Sequence, residues 1–244
     1  MASRKATAAA NRSANFPVEP MAKKTRPRPK KRRITKPLRD RLARILYTLD
    51  ETYPDSRCSL NHRSAFELLI ATMLSAQCTD ARVNIVTVDL FRRARSAKAM
   101  AAVPIDELEM LVKTTGFFRN KAKNVKAASE LIQGRHKSKV PDTMEALLEL
   151  PGVARKTANC VLGTWFKEPV GVVVDTHVTR IANLLDLSRN KDPVKIEQDL
   201  MALLPEEHWV RFTHQLIDHG RAVCVARRPR CGECALADDC PSAS

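Results

Sequence analysis

Glycine is scarce in this chain, with 7 among 244 residues, too few for the repeated tight turns of an all-β sandwich or barrel. Long apolar runs are missing too: none approaches the ~20 residues that span a bilayer as a helix. The N-terminus is basic and alanine-rich but has no apolar core of a secretory signal. A membrane or secreted protein is therefore not expected, and a soluble intracellular one is. Strand patterning is nearly absent, since Val172–Val174 is the one convincing β-like run and is too short to found a sheet. No repeat of fixed period occurs. What remains is a chain with 44% apolar residues, long enough for one large domain or two small ones. The expected fold is all-α.

Acidic residues are the other scarcity, and it is local. Residues 1–36 carry 12 Lys/Arg against one acid, Glu19, and hold +11 of the chain's net charge of +15. The segment contains Pro17, Pro20, Pro27 and Pro29 and lacks hydrophobic periodicity, so it reads as a disordered basic tail. Such a charge suits a polyanion, whether nucleic acid or an anionic membrane surface, but it serves equally as a solubilising tail. Charge alone assigns no activity.

From Pro37 the pattern turns helical. Leu38, Leu42, Ile45, Leu46 and Leu49 mark one face of an amphipathic helix, and Phe66, Leu69, Ile70, Met73 and Leu74 mark a second. Further helices are expected near 80–92, 105–114, 119–133, 142–149, 155–166, 176–187, 193–204 and 207–220. Asp142 with Glu145 resembles a capping box, and Asp192 before Pro193 reads as a cap followed by proline at the first helical position.

Cys224, Cys231, Cys234 and Cys240 form C-x6-C-x2-C-x5-C near the C-terminus, while Cys58, Cys78 and Cys160 are scattered and read as packing residues. A dense thiol cluster in an intracellular chain favours a metal centre over disulfides. Zinc and an iron–sulfur cube both accept four thiolates. Zinc sites usually use two close hooks; here one C-x2-C hook stands between looser cysteines, which favours the larger [4Fe–4S] cluster. Arg227, Arg228 and Arg230 lie between the first two cysteines, where a braced loop presents them to a phosphate backbone or simply to solvent.

Leu150-Pro151-Gly152-Val153-Ala154-Arg155 separates two helices by a tight hairpin. The amides of Gly152, Val153, Ala154 and Arg155 are expected to point outward at the positive end of a helix dipole, a phosphate-binding arrangement, although most such hairpins are structural. Lys156 follows in the first helical turn. An ammonium is disfavoured there, which promotes the neutral amine a nucleophile needs; a solvated or phosphate-contacting lysine is the alternative. Asp175, in Val172-Val173-Val174-Asp175-Thr176-His177, is a helix N-cap, a catalytic acid/base, or both.

Taken together, Leu150–Asn159, Val174-Asp175-Thr176-His177 and the cysteine spacing resemble the endonuclease III family of helix-hairpin-helix DNA glycosylases. Phe66–Ala71, Leu74-Ser75-Ala76-Gln77 and Lys113–Phe118 also look like that family, so the resemblance covers roughly residues 38–240. It implies two helical lobes with a DNA-binding cleft between them, one lobe at 56–168 holding the hairpin, the other joining 37–55 to 169–244 with a [4Fe–4S] loop. Lys156 matches the family's nucleophile and Asp175 its catalytic aspartate; Gln77 and Phe117 fall where the family places wedge or gap-filling residues. The implied enzyme is a monomer acting inside the cell on double-stranded DNA with damaged bases or abasic sites. It removes oxidised pyrimidines and cuts the strand by β-elimination through a lysine Schiff base. His177 is expected to support Asp175. One departure is Ala154, where the hairpin usually has a second glycine, which would restrict a left-handed backbone. The rivals are a non-catalytic helix-hairpin-helix module with a structural metal and a cluster-bearing redox protein.

Overall fold

The computed structural model describes residues 35–244; the basic segment expected to be disordered lies, up to residue 34, outside the described residues. Eleven α-helices follow in order: α1 (Lys36–Thr52), α2 (Ala65–Leu74), α3 (Asp80–Arg93), α4 (Ala97–Ala101), α5 (Ile105–Val112), α6 (Phe118–Arg135), α7 (Met144–Leu148), α8 (Arg155–Val161), α9 (Thr176–Leu184), α10 (Pro193–Leu203) and α11 (Trp209–Ala222). A π-helical turn, Leu162–Phe166, prolongs α8. No strand occurs among the described residues, so the fold is all-α. Val172–Val174 is not a strand, because no second segment pairs with it; Val172 and Val174 are instead buried as apolar anchors.

Burial sorts the helices into two apolar clusters. One gathers side chains from Leu60 to Leu162, with α2 at its centre: Phe66, Leu68, Leu69, Ile70, Ala71, Met73 and Leu74 are all buried. A helix buried on nearly every face has few places for polar groups, so its one acid, Glu67, is committed locally. Glu67 accepts from the Arg63 amide at 2.7 Å while the hydroxyl of the N-cap Ser64 accepts from the Glu67 amide at 3.1 Å, so two amides at the helix start are satisfied. The second cluster combines Leu42, Ile45, Leu46 and Leu49 of α1 with residues from Val172 to Leu236. The first helix is fastened to the C-terminal segment through Arg44–Asp239 at 2.5 Å and Arg211–Asp50 at 3.0 Å.

Asp192 caps α10, accepting from the amides of Val194 and Lys195 ahead of Pro193. The capping box expected from Asp142 is not formed: Thr143 is the cap of α7, accepting from the Ala146 amide at 3.3 Å. Helix α4, only five residues long, is one the sequence reading did not anticipate.

Candidate active site

A cavity of about 740 Å³ is walled by the loop at 57–60, by Thr72 and Asp80, by Lys156, Asn159 and Cys160 of α8, by Asp175–His177, and by His214 and Arg221 of α11. Its lining draws on helices from both apolar clusters. Lys156 and Asp175, 19 positions apart in sequence, face this one space.

The approach to Lys156 is shaped by the hairpin. Gly152 has φ +79, a left-handed conformation, and a Cβ there would meet Asn124 Cβ and Nδ2 at 2.8 Å. Glycine is required for both reasons. Ala154 sits at φ −100 and ψ 169, extended backbone open to any residue, so the strain expected from a missing second glycine does not arise. The Val153 amide does not point outward as expected; it donates to Leu150 O at 3.1 Å inside the turn, and Val153 is buried. Among the described residues the amides of Gly152, Ala154 and Arg155 have no such backbone partner, so three of the four expected donors are available. The Arg155 side chain is engaged elsewhere: its guanidinium grips buried Glu197 of α10 through Nε at 2.9 Å and Nη2 at 3.0 Å. Asn159, one turn along α8, donates to the same carboxylate at 2.8 Å.

Asp175 is the N-cap of α9: Oδ1 accepts from the Val178 amide at 2.8 Å, and Oδ2 lies 3.1 Å from His177 Nδ1. Capping fixes one oxygen and the histidine restrains the other, as expected of His177. Three further groups at the cavity were not anticipated. Asp80 accepts from Ser59 at 2.5 Å and from Arg221 at 2.8 Å. Burial pushes its carboxyl up, but the Ser59 hydroxyl, the Arg221 guanidinium and the Lys156 charge outweigh burial and hold it below the usual carboxylate range. His214 is pulled down by burial, against the opposing charges of Asp218, Asp175 and Asp80. Cys58 and Cys160, read from sequence as packing residues, also line the cavity: Cys58 packs against the first apolar cluster, and Cys160 Sγ lies 3.8 Å from the Thr72 hydroxyl. Nothing local in the sequence marks Asp80, because its partners Ser59 and Arg221 stand 21 and 141 residues away.

Gln77 and Phe117 lie outside this lining. Both are exposed and both adopt left-handed backbone, φ 53 and φ 46, in the turns after α2 and before α6.

The four cysteines of the C-terminal motif surround a second, smaller cavity of about 50 Å³, walled also by Leu184, Leu185, Val223 and Leu236. Burial pushes the Cys234 thiol up, and the proximity of Cys224, Cys240 and Cys231 adds to it. Four thiols crowded so that their anions repel are a donor set suited to a positively charged metal centre. Arg180 reaches Cys224 Sγ at 3.3 Å, and His219 Nε2 stands 3.6 Å from Cys234 Sγ. The neighbouring Arg227, Arg228 and Arg230 are all exposed; Arg230 also donates to Ala222 O and pairs with Glu233 at 3.3 Å.

Two family models match the chain: the HhH-GPD superfamily base excision DNA repair protein over residues 70–206, and the iron–sulfur binding domain of endonuclease III over residues 224–240. Endonuclease III of Synechocystis sp. is 52% identical over 205 residues, covering 84% of this chain and 94% of that protein. Endonuclease III of Escherichia coli is 41% identical over 196 residues, covering 80% and 92%. Among solved structures, a trapped endonuclease III–DNA covalent intermediate superimposes with a TM-score of 0.80 at 39% identity, covering 84% of this chain and 96% of that one.

Proposed function

Since the chain belongs to the HhH-GPD superfamily of base excision DNA repair proteins, we propose that its Lys156 and Asp175 are the groups that perform the chemistry. The enzyme is a bifunctional DNA glycosylase and abasic-site lyase. The observation that carries the residue assignment is that this amine and this carboxylate line one cavity, beside a hairpin whose Gly152, Ala154 and Arg155 amides have no backbone partner.

Lys156 Nζ attacks C1′ of an extruded nucleotide as the bond from C1′ to the base breaks; the base leaves with the bonding electrons and takes a proton. Asp175, held by the Val178 amide and His177, accepts the proton lost from the amine or stabilises positive charge developing on the sugar. Ring opening leaves an imine between Lys156 and C1′. Loss of a C2′ proton then expels the 3′ phosphate and cuts the strand. The imine links the two activities, because once protonated it is a stronger electron sink than the sugar aldehyde and makes the C2′ proton more acidic, which favours elimination.

The substrate we assign is double-stranded DNA carrying oxidised pyrimidines or abasic sites, engaged by the chain as a monomer inside the cell. No described helix is long and apolar enough to cross a membrane. The amides of Gly152, Ala154 and Arg155 would take a phosphate, Arg227 and Arg228 would meet the backbone, and Gln77 and Phe117 would fill the space left in the duplex. Val153 contributes packing, and the Arg155 and Arg230 side chains contribute through their protein partners.

The chain carries an iron–sulfur binding domain, and we assign a [4Fe–4S] cluster held by Cys224, Cys231, Cys234 and Cys240. Four thiolates suit zinc as well as a cluster; what favours the cluster is the match of residues 224–240 to the iron–sulfur binding domain of endonuclease III, together with the loose spacing of the outer cysteines. When bound, the cluster supplies iron–thiolate bonds that order a segment otherwise poor in apolar contacts.

The test is borohydride trapping on an oxidised-pyrimidine duplex. The wild-type enzyme is expected to form a covalent adduct and Lys156→Ala none; an undiminished adduct with Lys156→Ala would defeat the assignment.

A further inference from the structure

Lys121, on the second turn of α6, is 8% exposed, yet among the described residues no carboxylate lies within ion-pair distance of it. Its ammonium donates instead to two backbone carbonyls, Leu74 O at 2.8 Å and Thr115 O at 2.6 Å. Those oxygens come from segments 41 residues apart. Leu74 is the last residue of α2, and Thr115 ends a short 3-10 turn, Lys113–Thr115. Carbonyls at helix ends lack intrahelical partners and carry partial negative charge, so a cation there satisfies both.

The turn beyond each carbonyl contains a residue with unusual backbone. Gln77 stands three positions after Leu74 and Phe117 two positions after Thr115, at φ 53 and φ 46. Side chains with a Cβ persist in that region only where the surroundings over-determine the backbone. Phe117 is 67% exposed and belongs to neither apolar cluster, so packing does not hold it. What the two turns have in common is the ammonium between them. It is also costly: burial pulls the Lys121 pKa down from the ordinary lysine value, with Cys78 opposing. A methionine would fill the same volume without that penalty but would leave both carbonyls unpaired.

We propose that Lys121 is a positioning residue for DNA engagement: by bridging Leu74 O and Thr115 O it fixes the relative placement of the turns that present Gln77 and Phe117 to the duplex. The inference rests on the reading of those two residues as the groups that enter the space left by the extruded nucleotide. Its consequence is selective. A loosened bridge weakens the handling of double-stranded DNA, where a nucleotide must be extruded and the gap held open. Single-stranded DNA, with no stack to open, makes far smaller demands on the two turns.

The test compares single-turnover cleavage of one abasic site placed in a duplex and in the same oligonucleotide unpaired, using the full chain with its cluster, and follows thermal stability in parallel. Lys121→Met is expected to lower the duplex-to-single-strand rate ratio by about ten- to a hundredfold, the scale on which misplacement of about 1 Å acts. Phe117→Ala is expected to lower the same ratio, and the double variant to fall little below the worse single, since both changes remove one function. A purely structural lysine would lower the melting temperature and leave the ratio alone. If Lys121→Met does not fold, Lys121→Gln, whose shorter amide cannot span both carbonyls, takes its place with the same outcomes. A ratio unchanged in the lysine variant while Phe117→Ala lowers it overturns the role of Lys121. A ratio unchanged in Phe117→Ala and in Gln77→Ala overturns the reading beneath it, and wild-type protein that cuts neither strand overturns the enzymatic assignment.

Discussion

Glu197→Ala should cost both stability and activity, through a carboxylate that never faces the cavity. The Glu197 side chain is 7% exposed and receives three hydrogen bonds, two from Arg155 and one from Asn159, at 2.8–3.0 Å. Asn159 is itself buried, and its Oδ1 already lacks a partner. Removing the carboxylate orphans the Nδ2 as well, at about 1–3 kcal/mol for a buried donor. The Arg155 side chain is 44% exposed, so it can turn to water, and its ion pair counts for no more than about 1 kcal/mol. The lost methylene adds about 0.8 kcal/mol. The total is roughly 2–4 kcal/mol, which at about 2–4 °C per kcal/mol for a domain of this size lowers Tm by roughly 5–15 °C. Arg155 and Asn159 flank Lys156 on α8, so the released helix start should also slow single-turnover trapping by about tenfold. Glu197→Gln keeps an acceptor for Asn159 and should lose only about 1 kcal/mol. Thermal melts and borohydride trapping on the same preparations decide it. A Glu197→Ala protein that melts within about 2 °C of wild type and traps at the same rate refutes the strut.

Three further outcomes follow from the same contacts. Asp80 is held below its ordinary value of 3.8, so its stabilising contribution is complete above about pH 4 and is lost as the pH falls through the lower folded-state value; in denaturant titrations the deficit of Asp80→Asn should therefore be largest near neutrality and shrink in acid. Gly152→Ala should destabilise by at least about 1–2 kcal/mol from the left-handed backbone, and Asn124→Ala, which keeps the Cβ that the new methyl would meet, should not rescue it, whereas Ala154→Gly should cost only about 0.4–1 kcal/mol of unfolded-state entropy and leave duplex affinity unchanged. Cys234→Ser should abolish the broad iron–sulfur absorbance near ~400 nm and make residues 224–240 sensitive to protease, while wild-type protein should be brown.

Much of the helical content was legible because burial imposes a period. The α1 residues Leu42, Ile45, Leu46 and Leu49 are all buried, as their spacing requires. What escaped was short or tertiary. Helix α4 is five residues of Ala-Lys-Ala-Met-Ala with too few turns to reveal a stripe. Asp142 and Thr143 are adjacent and equally able to cap, and only the structure chooses Thr143. At the cavity, Lys156 and Asp175 were visible because each interrupts a local pattern, one a cation at a helix start, the other a carboxylate after a valine run. Asp80, His214, Glu197 and Lys121 interrupt nothing in their own segments; their meaning lies in partners brought together by folding. Arg155 divides between the two kinds of information: the role of its amide follows from its place beside the hairpin, whereas the commitment of its side chain to a buried acid 42 residues away is tertiary.

Charge placement separates the two tasks that an enzyme acting on a polyanion must perform at one surface. Most of the chain's net positive charge lies in residues 1–36, whereas the cavity lining is balanced, with Asp80, Asp175 and Asp218 set against Arg57, Lys156 and Arg221. A lining without net charge offers phosphate no attraction, so on the proposed reading the backbone is held at the rim, by amides at Gly152, Ala154 and Arg155 that carry no net charge and by Arg227 and Arg228. Only the sugar and base then enter, and the sugar is where positive charge develops as the bond to the base breaks. The arrangement is also why uncharged donors suit the hairpin. Of the two cations that follow the hairpin, Arg155 is held by Glu197, which leaves Lys156 alone to face the cavity.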